Sequence, residues 1–152
     1  MTKKARKVIR HPFQKGNIPF QLKNSVLLVL DMQNFFLDKK SHAYLPLAKP
    51  IIPKISRLID FYRKHKLPII FTRHALRKGE KIGIMEDWWR DTIMDGTKSA
   101  QLIPSLKPSK NEKVIRKTRY NAFYKTKLGD MLKKHKAKSV VITGVMTHLC
   151  CE

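Results

Sequence analysis

Short apolar runs alternate with segments of helical periodicity along this chain, and each run has the length of a buried strand. The predicted strands are 25–30, 68–72, 112–116 and 139–143. The predicted helices are 51–65, whose apolar residues recur at helical spacing, and 128–135. This alternation predicts a three-layer α/β/α domain around a mostly parallel, doubly wound, Rossmann-like sheet.

Polar or reactive residues stand beyond the ends of the predicted strands. Asp31 follows the first strand, Arg73 the second and Lys117 the third, and Cys150 follows a glycine turn after the fourth. The carboxyl ends of parallel strands meet at one edge of a sheet, where open α/β sheets bind ligands. The sequence therefore predicts one site that contains these side chains.

Three of these residues suit nucleophilic catalysis at a carbonyl group. A Cys150 thiolate would attack, Asp31 would take and return the proton, and Lys117 would hold both in their charged forms. A helix expected to begin near His148 would lower the thiol pKa through its free N–H groups. Each residue also has an ordinary structural interpretation: a helix cap for the aspartate, a surface position for the lysine and a small core side chain for the cysteine.

Composition adds a strong positive charge to this picture. The 152 residues include 33 Lys and Arg against 11 Asp and Glu, which gives a net charge of +22. Such a field favours anions, but the lysines are dispersed, so we expect at most weak, non-specific binding of nucleic acid. Residues 1–24 form a predicted basic arm, and 25–152 form the predicted domain. No run is long enough for a membrane span, and two adjacent cysteines favour a reducing, cytoplasmic location.

Three segments in order resemble the isochorismatase-like cysteine hydrolases, a family of nicotinamidases, carbamoylsarcosine and ureidoacrylate amidohydrolases, and isochorismatases. The segments are Leu27-Leu-Val-Leu-Asp-Met-Gln-Asn34, Lys117-Thr-Arg-Tyr-Asn-Ala-Phe123 and Thr143-Gly-Val-Met-Thr-His-Leu-Cys150. They are similar to the family's first strand with its catalytic aspartate, its lysine segment and its nucleophile turn. Cys151 falls where the family usually has an apolar residue, which predicts a buried side chain.

The resemblance implies a set of roles. Asp31, Lys117 and Cys150 would be the catalytic triad, with a cis peptide between Val145 and Met146 and an oxyanion hole made by the N–H groups of Met146 and Cys150. The implied substrate-binding residues are Phe36, Arg73, Trp88, Arg119, Tyr120, Phe123 and His148. Metal-binding members use an Asp-x-His motif with further histidines. His42 and His74 do not have that spacing, so we expect no metal and no other cofactor.

The resemblance favours hydrolysis of a C–N bond in a small amide through a cysteine thioester. Two alternatives stay open: a vinyl ether hydrolase that uses Asp31 and Lys117 without a covalent step, and an inactive relative that acts as a basic binding module. A doubly wound sheet typically has six strands, so we expect a truncated chain that lacks one or two C-terminal βα units. We also expect a homo-oligomer. Val140, Val141 and Ile142 of the fourth strand would lie exposed at an unpaired edge, so residues 1–152 alone should either associate through this edge or be unstable.

Overall fold

The computed structural model describes residues 20–81 and 91–152. Within these residues the strands are β1 (Ser25–Leu30), β2 (Ile69–His74), β3 (Lys113–Lys117) and β4 (Ser139–Gly144). The α-helices are α1 (Asn34–Leu37), α2 (Ile52–Lys64) and α3 (Leu128–Lys134). The strands form one parallel sheet in the order β3-β2-β1-β4.

Strand β1 occupies the centre of the sheet because all six of its residues are buried. Side chains alternate between the two faces of a strand, so this run supplies two cores. Leu27 and Val29 pack in the larger cluster with Ile55 and Ile59 of α2. On the other face, Val26, Leu28 and Leu30 pack with Leu128 of α3. The three-layer α/β architecture predicted from the sequence is therefore confirmed.

Strand β4 forms one edge of the sheet within the described residues. Val140 and Ile142 are 40% and 50% exposed, as expected for an uncovered edge. The expectation was wrong for Val141, which points to the opposite face and packs against the larger core. The homo-oligomer stays a prediction.

The element boundaries agree with the apolar pattern except where polar residues end a strand. Strand β2 runs two residues past the predicted end at Thr72, and β3 continues through Lys117. The pairing of β2 with β3 extends through Arg73, His74 and Lys117 because their polar groups find partners, described below. No helix in the described part of the chain is long and apolar enough to cross a membrane.

Candidate active site

The strand ends bring Asp31, Lys117 and Cys150 together around one ammonium group. Lys117 Nζ lies 2.7 Å from Asp31 Oδ2 and donates to Cys150 Sγ at 3.4 Å. It also donates to the carbonyl oxygen of Arg119 at 3.0 Å. An ammonium has three protons, so these contacts account for all of them. The lysine thus links the carboxylate to the thiol.

Asp31 is held in place from β2. Its side chain is fully buried, and Oδ1 accepts a hydrogen bond of 2.7 Å from the Thr72 hydroxyl. Its backbone N–H donates to Thr72 O at 3.2 Å. The residue has a φ of 52°, a left-handed conformation that aspartate tolerates better than most side chains. This turn directs the carboxylate away from the strand and onto Lys117.

Lys117 carries its charge in a site closed to water. Burial opposes the charged form, but the Asp31 carboxylate and then Cys150 outweigh it, so the pKa of Lys117 is raised above its usual value. The side chains of Lys117 and Asp31 are both 0% exposed. A lysine in this position is cationic at neutral pH.

The turn that carries Cys150 begins at Gly144, whose φ is 125°. A Cβ at this position would overlap the backbone of Leu30, so only glycine fits between β4 and β1. The Val145–Met146 peptide bond is cis, as the resemblance implied. A single π-helical turn, Thr147–Cys151, follows and presents the thiol. The N–H of Met146 makes no hydrogen bond to the described part of the chain, so it is available as an oxyanion donor.

The expected lowering of the thiol pKa is wrong. Burial, and then the negative charge of Asp31, raise the pKa of Cys150 to about 12, and the opposing effect of Lys117 is smaller. Cys150 lies in the helical turn Thr147–Cys151. The resting thiol is therefore protonated at neutral pH.

Cys151 differs from its neighbour in its contacts. It packs, partly buried, against the smaller core. Burial and the charge of Asp31 raise its pKa to about 11. The contact between Lys117 Nζ and a sulfur is to Cys150, which favours Cys150 as the functional thiol.

Two of the predicted substrate-binding residues lie in a cavity next to the thiol. Tyr120 and Phe123 line this cavity of about 370 Å³ together with Leu149, Cys150 and Cys151. Phe123 is 56% exposed. Their contact with substrate stays a prediction, but the geometry is compatible with it.

The two predicted arginines have different surroundings. Arg73 is occupied by an ion pair with Asp95 at 2.7 Å, and Arg77 lies 3.2 Å from the same carboxylate. The guanidinium of Arg119 donates to the carbonyl oxygens of Thr118 and Lys81 and lies over the Tyr124 ring. Within the described residues it has no carboxylate partner, so Arg119 is the better candidate for a substrate anion.

The remaining predicted residues are less informative. Phe36 is 3% exposed and packs in the larger core, and His148 is exposed. Trp88 lies outside the described residues. Among residues 20–81 and 91–152, no three His, Cys, Asp or Glu side chains are grouped so that they could hold a metal ion.

The sequence analysis did not identify three residues that shape the site. Thr72 orients Asp31, as described above. Gln33 accepts from His74 N–H at 2.7 Å and donates to His74 O at 2.8 Å, which fastens β2 to the end of β1. Gln33 and His74 are both buried polar residues. The only available signals were polar residues shortly after predicted strands: Gln33 three positions after 25–30, and His74 two positions after 68–72.

The chain is similar to a known protein family and to several of its members. The family model described as Isochorismatase domain matches residues 25–152. The chain is 36% identical to nicotinamidase 3 of Arabidopsis thaliana over 86% of this chain and 63% of that protein. It is 27% identical to enterobactin synthase component B of Escherichia coli (strain K12), over 92% of this chain and 49% of that one. The chain thus spans about half to two thirds of the length of these relatives.

A cysteine hydrolase from Pseudomonas syringae pv. phaseolicola 1448A has the same fold. Its structure superimposes with a TM-score of 0.82 at 23% identity, over 88% of this chain and 64% of that one. An isochorismatase-like hydrolase from Alkaliphilus metalliredigens has a TM-score of 0.72 at 28% identity, over 84% and 68% of the two chains. With the family match covering the strands, the buried ion pair and the nucleophile turn, this chain belongs to the isochorismatase family.

Proposed function

We propose that this protein hydrolyses the C–N bond of a small amide through a thioester on Cys150. The observation that carries the proposal is the single buried ammonium of Lys117, which contacts both a carboxylate and a thiol. An acid–base group and a nucleophile held by one fixed cation can exchange a proton without either charge being left unpaired.

In the first half-reaction, Asp31 takes the proton from Cys150 Sγ as the sulfur attacks the amide carbonyl carbon. The carbonyl oxygen becomes an oxyanion, for which the N–H groups of Met146 and Cys150 are the proposed donors. One such donor is typically worth about 3 kcal/mol in the transition state. The C–N bond then breaks, and the leaving amine takes the proton from Asp31.

In the second half-reaction, a water molecule hydrolyses the thioester. Asp31 takes a proton from the water as its oxygen attacks the thioester carbon. When the C–S bond breaks, the acid product leaves and the thiolate regains the proton from Asp31. The buried Lys117 stays cationic throughout and neutralises whichever of the two groups is the anion.

The names of the relatives suggest the substrates to test first. Relatives include nicotinamidase 3 of Arabidopsis thaliana, at 36% identity, and ureidoacrylate amidohydrolase RutB of Methylorubrum extorquens, at 25% identity. Primary carboxamides and ureido acids are therefore the first panel. We expect ammonia release from at least one class.

Mass spectrometry of the intact protein tests the covalent step directly. Rapid quenching during turnover should show an added acyl mass on the peptide that contains Cys150. The Cys151→Ala variant should retain this adduct, and Cys150→Ala should lose it together with the activity. Turnover of an amide at the wild-type rate by Cys150→Ala would refute the proposal.

A second candidate is vinyl ether hydrolysis without a covalent step. Two observations favour it: the Asp31–Lys117 pair is complete without the thiol, and the thiol is not ionised at rest. Relatives at 27% identity include the isochorismatase of Bacillus subtilis (strain 168). Isochorismate turnover that survives in Cys150→Ala would favour this candidate over the first.

A further inference from the structure

A groove lies between strand β3 and helix α3, apart from the catalytic site. Its volume is about 610 Å³, and within the described residues it shares no lining residue with the cavity beside Cys150. Ile115 and Met131 line this β3–α3 groove and also pack, partly buried, against the smaller core. Val114 lines it as well and is 42% exposed. The groove is therefore an apolar surface that the described part of the chain leaves uncovered.

The rim of the β3–α3 groove is basic. Arg116 is paired with Glu80 at 2.7 Å, but the lysines of the groove make no ion pair within the described residues. Cations that lack such partners attract anionic groups, and the attraction weakens as salt rises. The ionisable residues that line the groove in the described part of the chain are Lys113, Arg116, Lys127, Lys134 and His135.

Strand β3 forms the outer edge of the sheet beside this groove, because its strand partner among the described residues is β2 alone. The carbonyl oxygen of Lys117 accepts from Ala75 N–H, so the backbone of Lys117 faces the side of β2. Backbone groups of successive strand residues point to opposite sides, so those of Val114 and Arg116 point away from β2. They make no hydrogen bond to another element of the described residues. An edge of this kind can accept a further strand.

The β3–α3 groove extends across this edge. Ile115 faces α3, because it packs against the smaller core. Side chains alternate along a strand, so Val114 and Arg116 project to the other face of the sheet. All three residues line the groove, which therefore includes the outer edge of the strand. An occupant meets unpaired backbone groups, apolar side chains and cations together.

We propose that the β3–α3 groove binds an extended acidic segment of a partner protein, which adds to β3 as a further strand. Hydrogen bonds to the backbone of Val114 and Arg116 supply affinity, as in other complexes formed by strand addition. The apolar and basic side chains of the groove select a segment in which apolar and acidic residues alternate. This inference does not depend on the proposed amide hydrolysis.

Charge and lining disfavour three other occupants. A second copy of this chain has a net charge of +22, so two basic edges repel each other. Residues 1–19 of the chain itself include Lys and Arg but no Asp or Glu. Single-stranded nucleic acid binds by stacking its bases on aromatic rings, and the described lining contains no Phe, Tyr or Trp. An acidic peptide with apolar residues matches the backbone edge, the apolar lining and the cations.

Fluorescence anisotropy on the full chain tests the proposal with a labelled heptapeptide in which glutamate and valine alternate. We expect saturable binding that weakens as salt rises, and none with the corresponding lysine and valine peptide. The variant Lys127→Glu/Lys134→Glu changes two exposed residues and should bind the acidic peptide roughly ten-fold more weakly. Lys54→Glu/Lys64→Glu is the matched control: it alters net charge equally at exposed positions of α2 and should weaken binding by roughly two-fold at most.

Two modified peptides test strand addition without any change in the protein. Only alternate N–H groups of an added strand can point towards β3. One peptide is methylated on its glutamate nitrogens and the other on its valine nitrogens. We expect one of them to bind like the parent and the other roughly ten-fold more weakly. Val114→Pro should also weaken binding of the parent peptide, because it removes an outward N–H while leaving the hydrogen bonds to β2.

Absence of acidic-peptide binding would overturn the inference. Equal affinities of the two methylated peptides, or equal effects of the two double-lysine variants, would also overturn it. Self-association that is lost in Val114→Pro would assign the edge to a second copy instead. Displacement of the peptide by a single-stranded oligonucleotide that binds more tightly would assign the groove to nucleic acid, which likewise contradicts the proposal.

Discussion

Replacing Lys117 by methionine tests whether the buried ion pair is a coupled unit. Methionine fills a similar volume but removes the ammonium that lies 2.7 Å from Asp31 Oδ2. Both side chains are 0% exposed, so no water compensates for the loss. Removing one partner of a buried pair typically costs about 3–5 kcal/mol, against a total stability of about 5–15 kcal/mol. We expect the free energy of unfolding of Lys117→Met to be lower than that of the wild type by about 3–5 kcal/mol.

A double-mutant cycle measures the coupling. Asp31→Asn removes the charge, keeps an acceptor for the Thr72 hydroxyl and tolerates the left-handed backbone at φ 52°. The double variant has no buried charge, so it should be more stable than Lys117→Met alone. Urea unfolding followed by circular dichroism gives the four free energies.

An exposed ion pair provides the control for this cycle. Lys98 Nζ lies 3.7 Å from Asp38 Oδ2, and the lysine side chain is 80% exposed. Lys98→Met should therefore change stability by less than about 1 kcal/mol. If Lys117→Met costs no more than Lys98→Met, or if the effects of the Asp31 and Lys117 substitutions simply add, the two groups do not form the unit on which the mechanism depends.

Three further predictions follow from the same site. Iodoacetamide should label Cys150 in preference to Cys151 in the folded protein, and peptide mapping that shows the reverse would contradict the assignment. Gly144→Ala should yield little folded protein, as judged by thermal melting, because the added Cβ would overlap the backbone of Leu30. Gly96→Ala is the control: its Cβ would lie in open space, so its free energy of unfolding should decrease by only about 1–2 kcal/mol. The pKa of His74, about 4 when folded, lies below its usual 6.5, so the unfolded chain binds the proton first as the pH falls. The contribution of His74 to the free energy of unfolding should be fully present above pH 6.5 and should fall by roughly 3 kcal/mol as the pH falls towards 4. Urea unfolding at a series of pH values measures this decrease, which should be smaller in His74→Asn.

The fold was predictable because the apolar pattern of this chain is strong. Strand β1 is buried on both faces and has six consecutive residues without a charge, so its limits coincide with the prediction. The end of β2 was less predictable, because the apolar run stops at Thr72. The strand continues because the Arg73 guanidinium donates to Asp95, 22 residues away in sequence, and the His74 backbone N–H donates to Gln33, 41 residues away. No local pattern contains such partners.

The site was predicted in its members but not in its electrostatics. A lysine in a basic chain is ordinarily a surface residue, and the burial of Lys117 depends on Asp31, to which only the sheet brings it close. The local argument for Cys150 used the helix expected after it. In the structure, burial and then the negative charge of Asp31 raise the thiol pKa, and both depend on residues that the sheet brings together rather than on the local sequence.

The raised thiol pKa constrains the order of events at Cys150. One ammonium lies between two groups that can each become an anion, and it can neutralise one of them at a time. Burial disfavours a charge on the sulfur, and the negative charge that Asp31 carries at rest disfavours it further, so the pKa of Cys150 is about 12. When Asp31 takes the thiol proton, the negative charge moves to Sγ and the net charge around Lys117 does not change. The part of the penalty that comes from the charge of Asp31 therefore does not apply to proton transfer within the triad, whereas the part that comes from burial remains. We expect the nucleophile to form when a substrate is present to receive it.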